Sequence, residues 1–349
     1  MFDVGYFPPH APPAAYQQNW SRHPLSASLH HYTMMSPPIG GHIKGLNMIR
    51  ILAKLFAVAV ALTACLPVQP SSAESVAFVS ASGGGTTCTQ TAPCGSIFEA
   101  VVSLPNTGGR VVCATPVVET AGFDFSNSTY VFDCPSSVLL GQITFFGNDV
   151  VLKFQHMGFS NASSMIKFAG GGGTLIFEDC VLEDSSGVAL DIEPGAPFNL
   201  VIKNSRISNN TAAGVLIKPA AGGSVTATFD GVTITNNAGG LRTDTTNGAV
   251  RVDISNSTIN NNANNGLIAI GGAGGQNVMN LSRNVIASNG QVGIEVSGTT
   301  AGAIVDTTLL DSNTLGALSA VSSGRILTYQ NNRIVGSPGT GFTGTASPQ

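Results

Sequence analysis

Four charged residues in this chain of 349 residues are spaced so that they could act together. Asp191, Lys218 and Asp244 each lie four residues after a glycine, and Arg242 precedes Asp244 by two residues. Two carboxylates beside a lysine or arginine can supply the acid and base for cleavage of a glycosidic bond. The same four residues on an outward face would form an ordinary solvated surface, so both interpretations stay open.

A second acidic group could bind calcium, because carboxylate oxygens are the ligands that Ca²⁺ prefers. Its residues are Asp179, Glu183 and Asp184, with Glu178 beside them. Glu178 and Asp179 are neighbours in a strand-like pattern, so their side chains would point to opposite faces. Calcium is therefore the one cofactor to test. The sequence predicts no other, since it contains no zinc spacing, Walker loop or nucleophile elbow.

Asparagines recur at a fixed position in the second half of the chain. Each lies three residues after an apolar residue: Asn210, Asn237, Asn262, Asn289 and Asn313. Paired amides can line a sugar-binding site, but a site needs its residues once, whereas these recur in successive units. Asparagine tolerates the left-handed backbone of a sharp corner, and stacked amides can hydrogen-bond along a ladder. We therefore predict a structural asparagine ladder.

An internal repeat of about 25 residues would position all of these groups. Apolar residues recur at steps of 23 to 27 residues, at Phe159, Leu182, Ile207, Ile234, Ile259, Ile286, Leu310 and Ile334. A second apolar position lies five residues before each, at Phe154, Phe177, Ile202, Phe229, Ile254, Leu281, Val305 and Tyr329. Side chains alternate along a strand, so two inward positions five residues apart require a corner between them. Short strands, corners and a repeated core predict a parallel β-solenoid.

Stacking of the coils sets the distances between the candidate residues. With strands about 4.8 Å apart, eight coils form a rod of about 40 Å. The residues four positions after the coil glycines would stack on one outward face. Asp191 and Asp244, two coils apart, would then be separated by about 10 Å, near the upper limit for the two carboxylates of an inverting glycosidase.

The segment CGSIFEAVVSLPNTGG predicts a short amphipathic helix over the first coil, because a solenoid needs its open end covered. Ser96 and Glu99 have the spacing of a capping box. Phe98, Val101 and Val102 would form the inward face of this helix.

Cysteine spacing predicts two disulfides. Cys88 and Cys94 flank a tight loop that contains a proline, and Cys113 and Cys134 are 21 residues apart, near one coil. Residues stacked in adjacent coils are about 5 Å apart, which suits a disulfide. Cys180 lies two coils beyond Cys134, too far to bridge, and we expect it to be a buried free thiol. Disulfides are typical of exported proteins.

The stretch from AFVSASGGG through QTAPCGSIFEAV to GGRVVC resembles the N-terminal cap and first coil of exported alphaproteobacterial β-helix proteins of the pectate-lyase-like superfamily. The resemblance covers roughly residues 76 to 337, as a pattern in the coils. It implies an all-β fold, a right-handed single-stranded parallel β-helix of about eight to ten coils with a short N-terminal capping helix. The superfamily includes polysaccharide lyases, polygalacturonases, pectin esterases, tailspikes and adhesins, so the resemblance does not fix the activity.

The segment MIRILAKLFAVAVALTACLPVQPSSAES has the pattern of a secretory signal peptide. A positively charged start precedes an apolar stretch too short to span a bilayer, and small residues precede Glu74. Within the segment, LTAC resembles a lipobox, which would instead make Cys65 a lipidated N-terminus. We expect translation to begin at Met48, with the residues before it a wrongly extended start.

These features predict five segments. They are a disordered segment 1–47, a signal peptide 48–73, an N-terminal cap 74–109, a parallel β-helix 110–337 and a disordered tail 338–349. The mature chain would have no transmembrane helix. We expect export by the Sec pathway, to the periplasm, the outer membrane or the extracellular space.

Charge and composition narrow the partners. Only 10% of residues are charged and the net charge is −4, which leaves no basic surface for nucleic acid. An exported polar rod without a complete catalytic constellation predicts a non-catalytic protein that binds extended polysaccharide, or a surface partner, along its polar faces. A polysaccharide lyase or glycoside hydrolase that uses Asp191, Lys218, Arg242 and Asp244 is the first alternative. A purely structural envelope component is the second, and single, paired or trimeric solenoids all stay open.

Overall fold

Three parallel sheets wind into one right-handed coil in the computed structural model, which describes residues 74–160, 163–337 and 341–347. Each turn contributes one strand to sheets A, B and C in that order, and there are about nine turns. The predicted all-β parallel β-helix is thereby confirmed. The predicted segments 1–47 and 48–73, with Cys65, lie outside the described residues.

The described part of the chain contributes 12 strands to sheet A, 10 to sheet B and 9 to sheet C. Sheet A contains β1 Val76–Val79, β2 Gly108–Cys113, β5 Thr129–Asp133, β8 Val150–Gln155, β11 Gly173–Glu178, β14 Pro197–Lys203, β17 Ser224–Asp230, β20 Ala249–Ser255, β23 Asn277–Ser282, β26 Ala301–Asp306, β29 Arg325–Thr328 and β31 Gly344–Thr345. Sheet B contains β3 Val118–Glu119, β6 Val138–Leu139, β9 Gly158–Ser160, β12 Val181–Glu183, β15 Arg206–Ser208, β18 Thr233–Thr235, β21 Thr258–Asn260, β24 Val285–Ala287, β27 Leu309–Asp311 and β30 Arg333–Val335. Sheet C contains β4 Phe123–Phe125, β7 Ile143–Phe145, β10 Ile166–Gly170, β13 Leu190–Pro194, β16 Ala213–Ile217, β19 Gly239–Asp244, β22 Leu267–Ile270, β25 Val292–Ser297 and β28 Gly316–Val321.

The predicted apolar rows form the inward faces of two sheets. The row Phe159–Ile334 runs in register through sheet B, each member opposite the next. The row Phe154–Val305 does the same through sheet A. In the last coil Thr328, and not Tyr329, pairs with Val305, which leaves Tyr329 exposed. Because alternate residues point inward, all three sheets share a single core.

Phenylalanines fill the core of the first coils. Phe132, Phe154 and Phe177 stack through sheet A, with ring centroids 4.9 and 5.4 Å apart. A second stack passes through sheet C. Among the described residues, every ring contact lies between Phe98 and Phe198. Aromatic packing therefore ends before the asparagines begin.

The asparagine positions occupy the corner between sheets B and C from Asn210 onward. Asn237 Oδ1 accepts hydrogen bonds from the backbone N–H and from Nδ2 of Asn210, at 3.1 and 2.7 Å. The same pair of bonds joins Asn237 to Asn262, Asn262 to Asn289 and Asn289 to Asn313. All five side chains are buried, so these amides tie successive coils together inside the protein.

The left-handed backbone lies one residue earlier than the sequence predicted. Asn209, Asn236 and Asn261 have φ values of 58°, 56° and 53°, and Ser288 and Ser312 follow with 54° and 51°. The ladder asparagines themselves have negative φ. Each corner thus divides two roles between neighbours, because one residue turns the chain and the next points its amide inward.

The capping helix α1, Ile97–Ser103, packs on β1 and β2. Ile97 and Ala100 are fully buried beneath it, whereas Phe98 and Val102 are 46% and 68% exposed. The predicted inward face was therefore wrong for Phe98 and Val102. Residues three and four apart share a helix face, and the face that meets the sheet begins at Ile97.

The start of α1 is held by side-chain acceptors. Ser96 Oγ accepts from the Glu99 N–H at 3.1 Å, as in a capping box. Glu99 Oε2 accepts from the Gly95 N–H rather than from Ser96. Buried Glu119, from the first coil, accepts from the Phe98 N–H at 2.9 Å and so fixes the cap to the solenoid.

The end of the chain departs from the predicted disordered tail 338–349. Gly344 and Thr345 form β31, which pairs with β29, and Phe342 packs against the core. Thr343 exchanges hydrogen bonds with Ile326. An open solenoid end presents unpaired backbone and apolar residues, and this segment satisfies part of both.

Two disulfides join Cys88 to Cys94 and Cys113 to Cys134, with Cα atoms 4.7 and 4.5 Å apart. Cys180 is a free, buried thiol. The disulfides are compatible with an oxidising compartment outside the cytosol. Within the described ranges, no helix is long and apolar enough to cross a membrane.

Candidate functional site

The predicted catalytic residues all lie on sheet C, but not in one row. Asp191 pairs with Leu216 and not with Lys218, and Leu216 pairs with Arg242. Lys218 and Asp244 are therefore two residues further along their strands than Asp191. With two coils and two residues between them, Asp191 and Asp244 are about 12 Å apart, beyond the separation that an inverting glycosidase uses.

The error came from taking the glycines as equivalent. Gly187 lies three residues before Leu190, whereas Gly214 directly precedes Val215, the partner of Leu190. The coil of Gly187 thus has two extra residues between glycine and strand. Counting from the strands places Asp191 beside Arg242 in one row of outward side chains.

Asp191 has an unusual environment for a carboxylate. Its side chain is 15% exposed, and Oδ2 lies 3.8 Å from Lys167 Nζ. Among the described residues, its buried Oδ1 has no hydrogen-bond partner. Burial, reinforced by Glu193, raises the pKa of Asp191 above its ordinary value, and Lys167 and Lys218 oppose this only in part.

Asp244 has a structural set of contacts. Its side chain is 8% exposed and Oδ1 accepts from the N–H and the hydroxyl of Thr246, at 3.0 and 2.6 Å. Arg242 lies 3.4 Å from Oδ2. Burial alone would raise the pKa of Asp244, but the bonds from Thr246 and Arg242 outweigh it and hold the pKa low. Asp244 therefore stays charged and fixes the turn after β19.

The predicted calcium candidates do not converge. Asp184 has a φ of 63° and turns the corner of its coil. Glu183 forms an ion pair with Arg206 at 2.7 Å, and Asp179 faces His156. Over the described residues, no group of three or more His, Cys, Asp or Glu side chains is arranged to hold a metal ion.

A groove of about 580 Å³ lies over the corner between sheets A and B. Its floor includes Val138, Gly158 and Val181, which are consecutive members of one outward row of sheet B. Gly158 has no side chain between its two valine neighbours, and this gap forms the depression. The volume is in the range of small-ligand sites in proteins. We call this the Gly158 groove.

One wall of the Gly158 groove is a line of charged groups in successive coils. His156 Nδ1 lies 3.1 Å from Asp133 Oδ1, and His156 Nε2 lies 3.7 Å from Asp179 Oδ2. Arg110 Nη2 donates to the other oxygen of Asp133 at 2.8 Å. Burial alone would raise the pKa of Asp133, but the hydrogen bonds from His156 and Arg110 outweigh it and hold the pKa low.

Left-handed corners bring these groups to the groove. His156 has a φ of 59° and Asp179 of 54°, at the point where the chain passes from sheet A to sheet B. Asp and His are among the residues that adopt this region more readily than most. The same backbone feature that closes each coil therefore presents a polar side chain at the edge of the groove.

The far end of the Gly158 groove is closed by an ion pair. Arg206 Nη2 donates to Glu183 Oε2 at 2.7 Å, and Arg206 Nη1 donates to Ser208 Oγ at 2.6 Å. Both charged side chains line the groove. Carboxylates, a guanidinium and an imidazole thus surround an apolar floor, an arrangement suited to a ligand with an apolar face and a rim of hydroxyl groups.

Two other candidates have structural surroundings. Burial raises the pKa of the Cys180 thiol to about 11, which makes it a poor nucleophile. Ser185, where the asparagine ladder begins, is buried, and its Oγ accepts from the Gly187 N–H. Its own N–H donates to Asn210 Oδ1. Ser185 therefore continues the ladder in shorter form.

The Gly158 groove was missed from the sequence, although it has a signal there. Gly158 stands at an outward strand position, 20 residues after Val138 and 23 before Val181. A glycine inside a strand often marks a place where another group approaches closely. The charged wall has no such signal, because its residues are scattered along the chain.

Comparison with known proteins agrees with this architecture. Residues 143–310 match the family model of the right handed beta helix region. The crystal structure of pectate lyase Pel9A is similar, with a TM-score of 0.50, 14% identity and 78% of each chain covered. No curated protein sequence matches the chain significantly.

Two epimerase structures are similar with lower scores. The periplasmic alginate epimerase AlgG gives a TM-score of 0.36 and 10% identity, over 72% of this chain and 81% of that one. The A-module of the Azotobacter vinelandii mannuronan C-5 epimerase AlgE4 gives 0.38 and 12%, over 79% and 90%. Such identities speak to fold alone. On its three-sheet coil and the family match, the chain is a right-handed parallel β-helix repeat protein of the pectate-lyase-like type.

Proposed function

We propose that this protein is an exported, non-catalytic β-helix that binds a stretch of extended polysaccharide in the Gly158 groove. The observation that carries the proposal is the groove itself, with an apolar floor beneath a wall of carboxylate, imidazole and guanidinium groups. A pyranose ring has an apolar face of C–H groups and a rim of hydroxyls. Binding sites of this kind combine an apolar surface with a few well-placed polar groups.

The direction of the groove suits a linear polymer. Asp133, His156, Asp179 and Arg206 come from four successive coils, so polar groups recur about every 4.8 Å along the rod. That interval is comparable with the length of one sugar in an extended chain. A short run of sugars can therefore lie along the axis, with each ring opposite one coil.

The absence of catalysis in the proposal rests on how the acidic groups are used. Asp133 and Glu183 are held in ion pairs with Arg110 and Arg206. On sheet C, Asp244 is fixed by Thr246. An acid and a base that act on one bond must both be free and correctly spaced.

Export remains part of the proposal. The signal-peptide pattern at 48–73 motivates it, and the two disulfides support an oxidising compartment. The destination would be the periplasm, the outer membrane or the extracellular medium. Mass spectrometry of the protein from its native cells would show whether the chain is cleaved before Glu74 or lipidated at Cys65.

Filling the groove tests the binding site. In a Gly158→Val variant the row Val138, residue 158 and Val181 would be continuous, and the new Cβ would lie 3.2 Å from a Val138 methyl group, which needs only a small shift. Thr258→Val, in the same row but outside the groove, is the matched control. We expect Gly158→Val to weaken retention on immobilised polysaccharides at least about tenfold, a loss of about 1.4 kcal/mol.

The measurement is affinity electrophoresis on a panel of neutral and acidic polysaccharides, with circular dichroism to show that both variants are folded. Equal retention of Gly158→Val and wild type would place binding elsewhere. If no polysaccharide retains the wild-type protein, the binding proposal fails, and the purely structural envelope component becomes the better explanation.

A second candidate function has one observation in its favour. The buried, unbonded Oδ1 of Asp191 and the raised pKa of this carboxyl are features of a general acid. Lys167, Lys218 and Arg242 lie on the same sheet face. Release of reducing ends or unsaturated products, with or without calcium, that disappears in Asp191→Asn would establish a hydrolase or lyase and overturn the non-catalytic proposal.

A further inference from the structure

We infer that the Gly158 groove takes a neutral glycan and excludes polyuronates, an inference that rests on the proposed binding function. It concerns the charge that remains in the groove after its ion pairs are counted. The lining includes the carboxylates of Asp133, Asp179 and Glu183, and its only Lys or Arg is Arg206.

Two of the three carboxylates are already neutralised. Asp133 accepts from Arg110 at 2.8 Å, and Glu183 accepts from Arg206 at 2.7 Å. These pairs leave neither guanidinium without a carboxylate of its own. An incoming anionic sugar would have to displace one of these pairs to gain a partner.

Asp179 carries the remaining charge. Its side chain is 51% exposed, and its ion-pair neighbour within the described residues is His156, at 3.7 Å. This distance is longer than a hydrogen bond. Neutral His156 leaves Asp179 as an uncompensated carboxylate at the edge of the groove.

That carboxylate distinguishes between two classes of polysaccharide. A hydroxyl pair on a neutral sugar can donate to both oxygens of Asp179 in charge-assisted hydrogen bonds. A polyuronate carries one carboxylate on each sugar, and several would lie within a few ångströms of Asp179 when the chain follows the coils. Juxtaposed like charges oppose binding and thereby exclude the wrong partner.

The variant Asp179→Asn tests this directly. Asp179 has a left-handed backbone, which asparagine adopts readily, so the substitution changes the charge with little effect on the fold. The matched control is Asp184→Asn, in the same coil and also left-handed, with a φ of 63°, but outside the groove lining.

The probes are a soluble linear β-glucan, a galactomannan and polygalacturonate, titrated against the full protein at equal ionic strength. We expect wild type to bind a neutral probe more tightly than polygalacturonate. Asp179→Asn should weaken neutral binding about tenfold, as loss of charge-assisted bonds implies, and should narrow the gap to polygalacturonate. Asp184→Asn should match wild type. Added salt should reduce the discrimination, since it screens exposed charges.

The outcomes separate this inference from the binding proposal. Tighter binding of polygalacturonate by wild type, lost in Gly158→Val, would overturn the neutral-glycan inference and leave the groove as a binding site. Unchanged neutral binding in Asp179→Asn would also overturn it. Retention of no probe by wild type would overturn both proposals.

Discussion

The coils before residue 200 and the coils after residue 210 use the same three sheets but are held together by different side chains. In the first region, Phe132, Phe154 and Phe177 stack from coil to coil. In the second, the asparagines from Asn210 to Asn313 form a chain of buried hydrogen bonds. Aromatic packing adds mainly buried area, which is weakly directional, whereas the amide ladder fixes register because each bond has a required geometry.

Other features divide between the two regions in the same way. Both disulfides, the capping helix and the Gly158 groove belong to the first region. The second region repeats one corner with little change. A binding site needs different residues in successive coils, and covalent and aromatic contacts can stabilise coils whose corners vary. A ladder, in contrast, requires the same residue in each coil.

Removal of one ring should give the largest effect. Phe154 is fully buried and its ring lies 4.9, 5.2 and 5.4 Å from those of Phe132, Phe159 and Phe177. We expect Phe154→Ala to lower the free energy of unfolding by about 4 kcal/mol, through lost burial, a cavity and lost ring contacts. Denaturant titration followed by circular dichroism gives the measurement.

Ile254→Ala is the matched control for Phe154→Ala, because Ile254 occupies the same row of sheet A in the asparagine region. Its expected cost is about 3 kcal/mol. Equal losses in the two variants would mean that ring stacking adds nothing beyond side-chain size, and the comparison between the regions would lose its aromatic half.

Interruption of the ladder should have the next largest effect. Asn262→Ala leaves the N–H of Asn237 unpaired and removes the Nδ2 bonds to Asn289 Oδ1 and Ile234 O. Buried groups without partners make us expect a loss of about 2 to 3 kcal/mol in the free energy of unfolding.

Asn264→Ala, two residues later and exposed, should change the stability of the same protein by no more than about 0.5 kcal/mol. Native-state hydrogen exchange would add spatial resolution, since Asn262→Ala should speed exchange at the neighbouring corners first. A loss no larger than that of Asn264→Ala would show that the ladder contributes register without stability.

The coil between the two regions contains Asp191, where the expected effect is smallest and depends on pH. Its pKa is raised by burial, so the folded state binds the proton more tightly than the unfolded state. Stability due to this group is then highest at low pH and falls as the pH rises from the unfolded pKa through the folded one. Asp191→Asn should therefore unfold at higher denaturant concentration than wild type at neutral pH, and the difference should shrink on acidification.

Asp244→Asn should behave in the opposite way. The pKa of Asp244 is held low by Thr246 and Arg242, so its charge stabilises the folded state at neutral pH and this contribution is lost as the pH falls through the folded pKa. Denaturation midpoints at pH 7 and in mild acid give both comparisons. Lower stability of Asp191→Asn at pH 7 would show that the Lys167 contact outweighs burial.

The inward residues were predictable because one physical rule governs all of them. Residues such as Phe159 and Ile207 recur at coil length, point inward and must be apolar, so the register of sheet B followed from the sequence. The family resemblance then added the handedness and the capping helix. Tyr329 failed at the last coil, where no further coil covers the core and the constraint on register is weaker.

The outward residues were not predictable in the same way, because corners absorb extra residues without harm to the core. Two additional residues after Gly187 moved Asp191 out of the row of Lys218. The Gly158 groove depends on a side chain that is absent and on charges brought together by left-handed corners. Sequence shows neither directly until the strand register is known.

Each ladder amide bonds only to the coils directly before and after it. A whole coil of about 25 residues inserted between Asn237 and Asn262 would therefore find the same partners at both of its faces, and removal of one would leave matching surfaces to rejoin. The asparagine region can thus lengthen or shorten in whole coils through gene duplication or deletion, while the capped end and its groove stay unchanged.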